Sequence, residues 1–498
     1  MVGPSVLGMT QAVQTYAYLR SSAIRDSAVQ SGAAGRSLDL ETSGGATPAG
    51  AVANPQFFSG FLTTPVPAAA ALLAVADVAA ARYYRPLLRA SLDPVVTANG
   101  DRLRFESFSG CCGVYARLDV LGAGLDGGEI GHGTTNVDVN SPLRDALGVL
   151  GGAEPLHLAV GPEALEVTTL DGPLVEKKVP LPERWLRGFA ETQVLAAGFD
   201  LRAEAPAAEA VRFLRSLPRT GRGATQWVVA AGPTLRPTSR AVPGAVCLPG
   251  PERLAALQRV LRHALALRVY GPPAGPGPTA SAWEVVLPGM RLTLTLSPDA
   301  ARGFSGEGGV LDALAAESSA ADAELVAVLL AWEPRIDPAE LAEQAGLPID
   351  RVRAALTRLG TAGQIGYDTA EAAYFHRQLP YEAARAEDRN PRLRAARALV
   401  AAGAVRLEQG GALVTVDGHV QRVRIGAAGR LSCTCLWWAK YRGGRGPCKH
   451  ALAVSLTAGR DETGLTAARD ETGLTAGGRP AGVGSVQGRD AAGVEGEL

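Results

Sequence analysis

The most constraining feature of this chain is LSCTCLWWAKYRGGRGPCKHALAVSL, Leu431–Leu456, which holds three of the six cysteines of a 498-residue protein and one of its six histidines. Cys-x-Cys (Cys433, Cys435) and then Cys-x-His (Cys448, His450) supply four soft or borderline donors, the set a tetrahedral zinc ion takes. LSCTC reads as an extended strand, on which residues two apart point to one side, so both sulfurs face the same way. A twelve-residue loop, Leu436–Pro447, then brings Cys448 and His450 to the start of a helix. First-turn amides of that helix can hydrogen-bond thiolates. Three thiolates and a neutral imidazole leave a zinc-bound site with one surplus negative charge, which Lys440, Arg442, Arg445 and Lys449 offset. Four protein ligands leave no open position, so one structural Zn2+ is expected rather than a catalytic one. A Cys–His nucleophile needs only one of these cysteines, and a redox pair leaves the second half of the motif unexplained.

The rest of the composition sets limits. With 47% apolar residues over this length, the chain can build several cores. Six cysteines in so long a chain do not make a disulfide framework, and the adjacent Cys111 and Cys112 are poorly placed to bridge each other. The stretch MVGPSVLGMTQAVQ lacks the basic and apolar regions of a secretion signal. The most apolar run, Val66–Ala81, is mostly alanine, contains Asp77 and is too short to span a bilayer, so it reads as a buried helix. A cytoplasmic protein without a membrane segment is expected.

The pattern predicts an α+β, multi-domain chain. Residues 1–53 are rich in Gly, Ser and Ala and read as a flexible N-terminus. Residues 54–316 mix strand signals (Arg102–Phe108, Val114–Leu121, Pro155–Val160, Ala164–Leu170, WEVVLP, RLTLTLS) with helical ones (ERWLRGFAETQVLAA, AAEAVRFLRSL, ERLAALQRVLRHALAL). Faint likeness between ALEVTTL…RWLRGF and RLTLTLS…AARGFS hints at a duplicated unit. Residues 321–378 read as three helices and a hairpin. The first has Leu325, Val328, Leu329 and Trp332 on one face. The second has Asp337 as N-cap, Pro338 at its first position, Glu340 completing a capping box and Gly346 at its end. The third packs through Val352, Leu356 and Leu359, and QIGYD and AAYFHR form the hairpin. This order resembles a winged helix-turn-helix domain. Residues 388–457 form a basic segment with a hairpin at Asp417-Gly418 and a small ββα-type finger at about 411–456. The tail, 458–498, contains RDETGLTAA and RDETGLTAG in tandem and reads as disordered.

Charge divides the chain. The winged-helix-like segment has five Arg against nine acids, which favours a structural or protein-docking role over reading DNA. Asp388–Arg460 has 13 Lys and Arg against 3 acids. Within the zinc motif, CTC…CKHALAV resembles the SWIM zinc finger, and all four ligand positions match: Cys433, Cys435, Cys448 and His450. More widely, FFSGFLT, FSGCCGVYARLDVL and GTTNVDVN resemble stand-alone bacterial proteins carrying this finger. The resemblance implies binding to DNA or proteins. No Walker loop or helicase motif is present, so the ATPase activity of some SWIM proteins does not carry over.

Three functional readings follow. The leading one is a non-enzymatic zinc protein that binds nucleic acid, DNA ahead of RNA, through Lys440, Arg442, Arg445 and Lys449. Arg422, Arg424 and Arg430 extend that surface, and Trp437, Trp438 and Tyr441 serve either as base-stacking rings or as the finger's small core. The second is a protein–protein adaptor whose finger is purely structural, with partners docking on the winged-helix-like domain. The third is an enzyme using Cys111, Cys112 and His132. Cys247 reads as a core residue, and His157, His263, His376 and His419 as isolated.

Overall fold

RLRFESF and VYARLDVL alternate apolar and charged side chains, so each must form a strand with one oily face and one polar face. They are the strands Arg102–Phe108 and Val114–Leu121, at the centre of a ten-stranded sheet. The computed structural model describes residues 15–16, 18–28, 34–84, 93–151, 155–162, 179–180, 183–221, 223–272, 277–304, 311, 319–330, 332–379, 390–426 and 430–458. The predicted strand Ala164–Leu170 and tail 459–498 lie outside these.

Val114–Leu121 pairs antiparallel with Arg102–Phe108 on one side and with Met290–Leu296 on the other. Beyond the first neighbour come Val95–Asn99 and His132–Asn136. Beyond the second come Ser281–Leu287, Ala266–Gly271 and Asp200–Pro206. Two three-stranded meanders thus join edge to edge. Their oily face, with Leu103, Phe105, Leu118 and Leu292, packs into the main core under helix Pro65–Ala80 and the 3-10 helix Pro251–His263. Helix Pro65–Ala80 is buried, as its alanine-rich sequence predicts. The stretch ERLAALQRVLRHALAL does not form one long α-helix. The Leu265 amide donates to Val286 O (2.8 Å), and the following residues leave the helix as a sheet strand.

The N-terminal expectation is corrected. Residues 18–28 and 34–53 are not a loose arm. Ala34–Leu40 is an interior strand of a second, five-stranded sheet, antiparallel to Ala23–Ala28 and parallel to Leu156–Val160. RSLDL alternates like a strand, and its Leu38 and Leu40 enter the core despite the small residues around them.

The polar face of the central sheet is also covered. Helices Ser319–Leu329, Pro338–Ala345 and Ile349–Thr361 and the hairpin Ile365–Asp368/Ala373–His376 follow one another. Asp337 caps the second helix by accepting from the Ala339 amide at 2.7 Å, and Gly346 ends it with φ 63°. The third buries Val352, Leu356 and Leu359 as expected. The first helix faces the other way from its predicted orientation. Ala323, Val326 and Leu330 are buried in the core shared with the third helix, Leu329 is partly buried against it, and Val328 is 80% exposed.

The hairpin seats its turn in a buried ion network. Asp368 accepts from Arg104 Nη1 (3.0 Å), Arg117 Nη2 (2.9 Å) and Arg291 Nη2 (2.8 Å). Asp119 shares Arg104 and Arg117 from within the sheet. Glu371, across the turn, accepts from Arg102 and Arg291. Arg377, just past the hairpin, donates to Glu106 at 2.5 Å and lies over the Phe189 ring. Phe189 belongs to helix Glu183–Ala196, which is buried nearly all round. Gly360 lets this helix come close, since a Cβ there would fall 1.0 Å from Gln193 Nε2.

Burial by itself raises the Asp368 carboxyl, but the Arg117, Arg104 and Arg291 guanidiniums reverse this and hold it well below the ordinary carboxylate range. Asp368→Ala strands buried cations and is expected to cost about 3–5 kcal/mol in denaturant unfolding. Because the folded value is depressed, Asp368's stabilisation is complete above the ordinary carboxylate value, near pH 4, and is lost as pH falls below it. The gap between wild type and variant should therefore stay constant near neutrality and shrink in acid.

Candidate metal centre

The basic C-terminal lobe is built around the strand pattern of ALVTVDGHVQRVRI. Strands Gly411–Val416 and His419–Ile425 meet at Asp417 (φ 50°) and Gly418 (φ 76°), the left-handed pair that a tight hairpin turn requires. Val405–Glu408 and Leu431–Cys433 complete a four-stranded sheet, in which Cys433 lies opposite Val423. Alternation sends Ala412, Val414, Val423 and Cys433 inward and Arg406, Arg422 and Arg424 outward.

Cys435 does not continue the strand. Its thiol accepts from the Trp438 amide at 3.5 Å and caps a short helix, Leu436–Tyr441, inside the stretch read as a loop. Cys448 plays the same part for the helix over 449–458, its sulfur accepting from the Ala451 amide at 3.4 Å. Two ligands thus receive amide N–H groups at helix starts, which stabilise thiolates. That second helix packs Ala451 and Val454 on the sheet, and Leu452 and Ala453 against helix Pro391–Ala401.

These elements bring Cys433, Cys435, Cys448 and His450 together. All four are buried, and their donor atoms lie within 4.8 Å of one another. His450 Nδ1 is 3.8 Å from Cys433 Sγ and 4.0 Å from Cys448 Sγ. Tetrahedral zinc, with Zn–S of about 2.3 Å and Zn–N of about 2.0 Å, demands sulfur–nitrogen edges of about 3.5 Å, so the donor set fits this ion. The thiols share protons as one set. Cys448 is lowered to about 4, first by the Cys433 side chain, with help from His450 and the Ala451 amide. Cys433 is raised, first by its contact with Cys448 and then by burial.

The aromatic stretch serves chiefly as structure. Trp437 and Trp438 are half-buried against the finger core. Arg392 and Arg445 lie 4.7 and 5.0 Å from the Trp437 ring centre, and Arg445 is 4.8 Å from the Tyr441 ring. Arg392 also donates to the Arg445 and Pro447 carbonyls, tying helix Pro391–Ala401 to the metal loop. This strut had no signal in local spacing. Lys440 and Arg442 are exposed, and Lys449 is half-buried.

Cys111, Cys112 and His132 are not brought together. The cysteines are buried in the tight turn after Phe108, where Cys112 has φ 57°, whereas exposed His132 pairs with Asn99 at the far end of the same strands. Seven residues of strand, about 20 Å, separate the two ends. Cys247 is buried as expected. Three histidines read as isolated have partners: His157 contacts Ser59 Oγ (3.2 Å), His263 Nε2 accepts from Arg262 Nε (2.8 Å), and His376 accepts from the Trp332 amide (2.8 Å).

One zinc per chain is expected by elemental analysis, with Cys448→Ser falling well below that. Ligands must be deprotonated, so acid as well as a strong chelator should release the ion. Chelation near neutral pH should open residues 430–458 to protease while the central sheet stays protected.

Residues 414–459 match the family model described as SWIM zinc finger. No curated protein matches the chain. Among solved structures, it is similar to the Proliferating Cellular Nuclear Antigen of Entamoeba histolytica at 10% identity and a TM-score of 0.31, over 49% of this chain and 99% of that one. That likeness is too loose to define the fold. The match and the buried donor cluster agree on one conclusion: this chain carries a SWIM zinc finger whose Cys433, Cys435, Cys448 and His450 fit one zinc ion.

Proposed function

We propose that the finger lobe binds nucleic acid, DNA ahead of RNA, and that the chain acts by binding rather than by catalysis. The observation that carries this reading is charge. Among the described residues of 390–458, 11 Lys and Arg face only 2 acids, Glu408 and Asp417. Arg422 and Arg424 stand exposed on the open sheet face, and Lys440 and Arg442 on the metal loop. Zinc coordination gives these cations fixed positions, which phosphate recognition requires. A reducing, cytoplasmic setting suits three neighbouring free thiols, which an oxidising compartment would crosslink.

The three helices and hairpin over 319–376 we read as a winged-helix-like unit turned to scaffold use. The hairpin's Asp368 and Glu371 are committed to the sheet, and Arg351 on the third helix pairs with Asp322 at 2.5 and 2.8 Å. A protein-adaptor role draws on a separate observation: Leu325 (45%) and Val328 (80%) are exposed on the first helix. If that face docks a protein, Leu325→Glu with Val328→Glu should abolish recovery of a defined partner without changing stability.

Nucleic-acid affinity of the zinc-loaded chain should fall steeply with salt. Replacing Lys440 and Arg442 with Gln should flatten the log–log salt slope by about 0.7–0.9 for each phosphate no longer neutralised. An unchanged slope removes these residues from the interface, and salt-independent binding removes the proposal.

A further inference from the structure

A cavity of about 500 Å³ opens on the finger, between the start of helix Pro391–Ala401, the Asp417-Gly418 hairpin and the first residues of helix Leu436–Tyr441. Ala395, Val416, Leu436 and Trp437 contribute apolar wall, and the metal ligands Cys435, Cys448 and His450 line it too. The volume lies within the range of small-molecule pockets, about 300–1,000 Å³. Beside it stands Leu436, 89% exposed, an apolar side chain that the local fold leaves unburied. Two cations, Arg392 and Lys449, line the same cavity, against one acid, Asp417.

An apolar hollow with an aromatic wall, a projecting leucine and a cationic lining matches an unstacked base attached to its phosphate. A flat ring enters the hollow, the leucine takes the place of the neighbouring base in the stack, and the cations meet the backbone. In a duplex the bases are paired and stacked inside, so only the backbone and groove edges can approach. An acidic peptide suits the cations but not the apolar hollow, and an apolar peptide suits the hollow but not the cations. We propose that this cavity receives one base of a single-stranded nucleic acid, with the adjoining phosphate at Lys449, beside the Arg392 strut. This rests on the nucleic-acid reading above and adds which form of nucleic acid is preferred.

The test compares three fluorescent probes on the zinc-loaded full chain: short oligo-dT, a duplex of the same length, and an abasic strand of the same length. Oligo-dT should bind about tenfold tighter than either of the others, the scale of one base stack. Ala395→Trp fills the hollow and should remove that preference while zinc content and duplex affinity stay unchanged. Leu436→Ala alters only an exposed side chain and should weaken oligo-dT alone, which keeps the test decisive if Ala395→Trp loses zinc. Equal affinity for all three probes, or an oligo-dT preference that survives Leu436→Ala, overturns the base pocket and leaves salt-dependent backbone binding standing. Failure to bind any probe overturns the nucleic-acid reading itself, and the pocket with it.

Discussion

Buried charge has to be matched inside the molecule, and both halves of this protein are organised by that requirement. In the central sheet, the Asp368 carboxylate is inserted among Arg104, Arg117 and Arg291, with Asp119 sharing all three of those cations. In the finger, three thiols and an imidazole converge within 4.8 Å, an arrangement a divalent cation stabilises and mutual thiolate repulsion opposes. Loss of one partner from either cluster would strand the remainder away from water. Each therefore fixes the position of elements far apart in sequence.

Helix Glu183–Ala196 connects the two. Phe189 packs under Arg377 behind the hairpin, and Gln193 enters the space that Gly360 leaves on the third helix. Val194 reaches the cluster formed by Leu393 and Leu452 of the finger lobe. One helix thus touches the sheet, the scaffold helices and the finger, which explains why so little of its surface meets solvent. The basic lobe is presented on a supported base rather than as an independent bead.

This arrangement separates support from contact. The hairpin is spent on the sheet, so the exposed cations gather on the finger, where they outnumber the acids. There the Arg392–Trp437–Arg445 stack and the two cysteine-capped helix starts hold the metal loop in shape. Coordination, aromatic packing and the cavity beside them form one local structure.

Much of this was legible in the chain itself. The zinc ligands followed from donor type and spacing, the Asp417-Gly418 hairpin from its turn residues, the strands Arg102–Phe108 and Val114–Leu121 from alternation, and helix Pro338–Ala345 from Asp337 and Gly346. All are local, because spacing, capping and left-handed turn residues act within a few positions. Three things were not legible: which side of helix Ser319–Leu329 would be buried, that the Gly- and Ser-rich segment 34–53 would supply an interior strand, and that the loop after Cys435 would begin as a helix. Nor could alternation reveal that the charged face of RLRFESF lies beneath a hairpin more than 250 residues away in sequence. A strand's pattern states only that its two faces differ. Whether the polar face meets water or an oppositely charged partner depends on which distant segment lands on it, and that was settled only by tertiary packing.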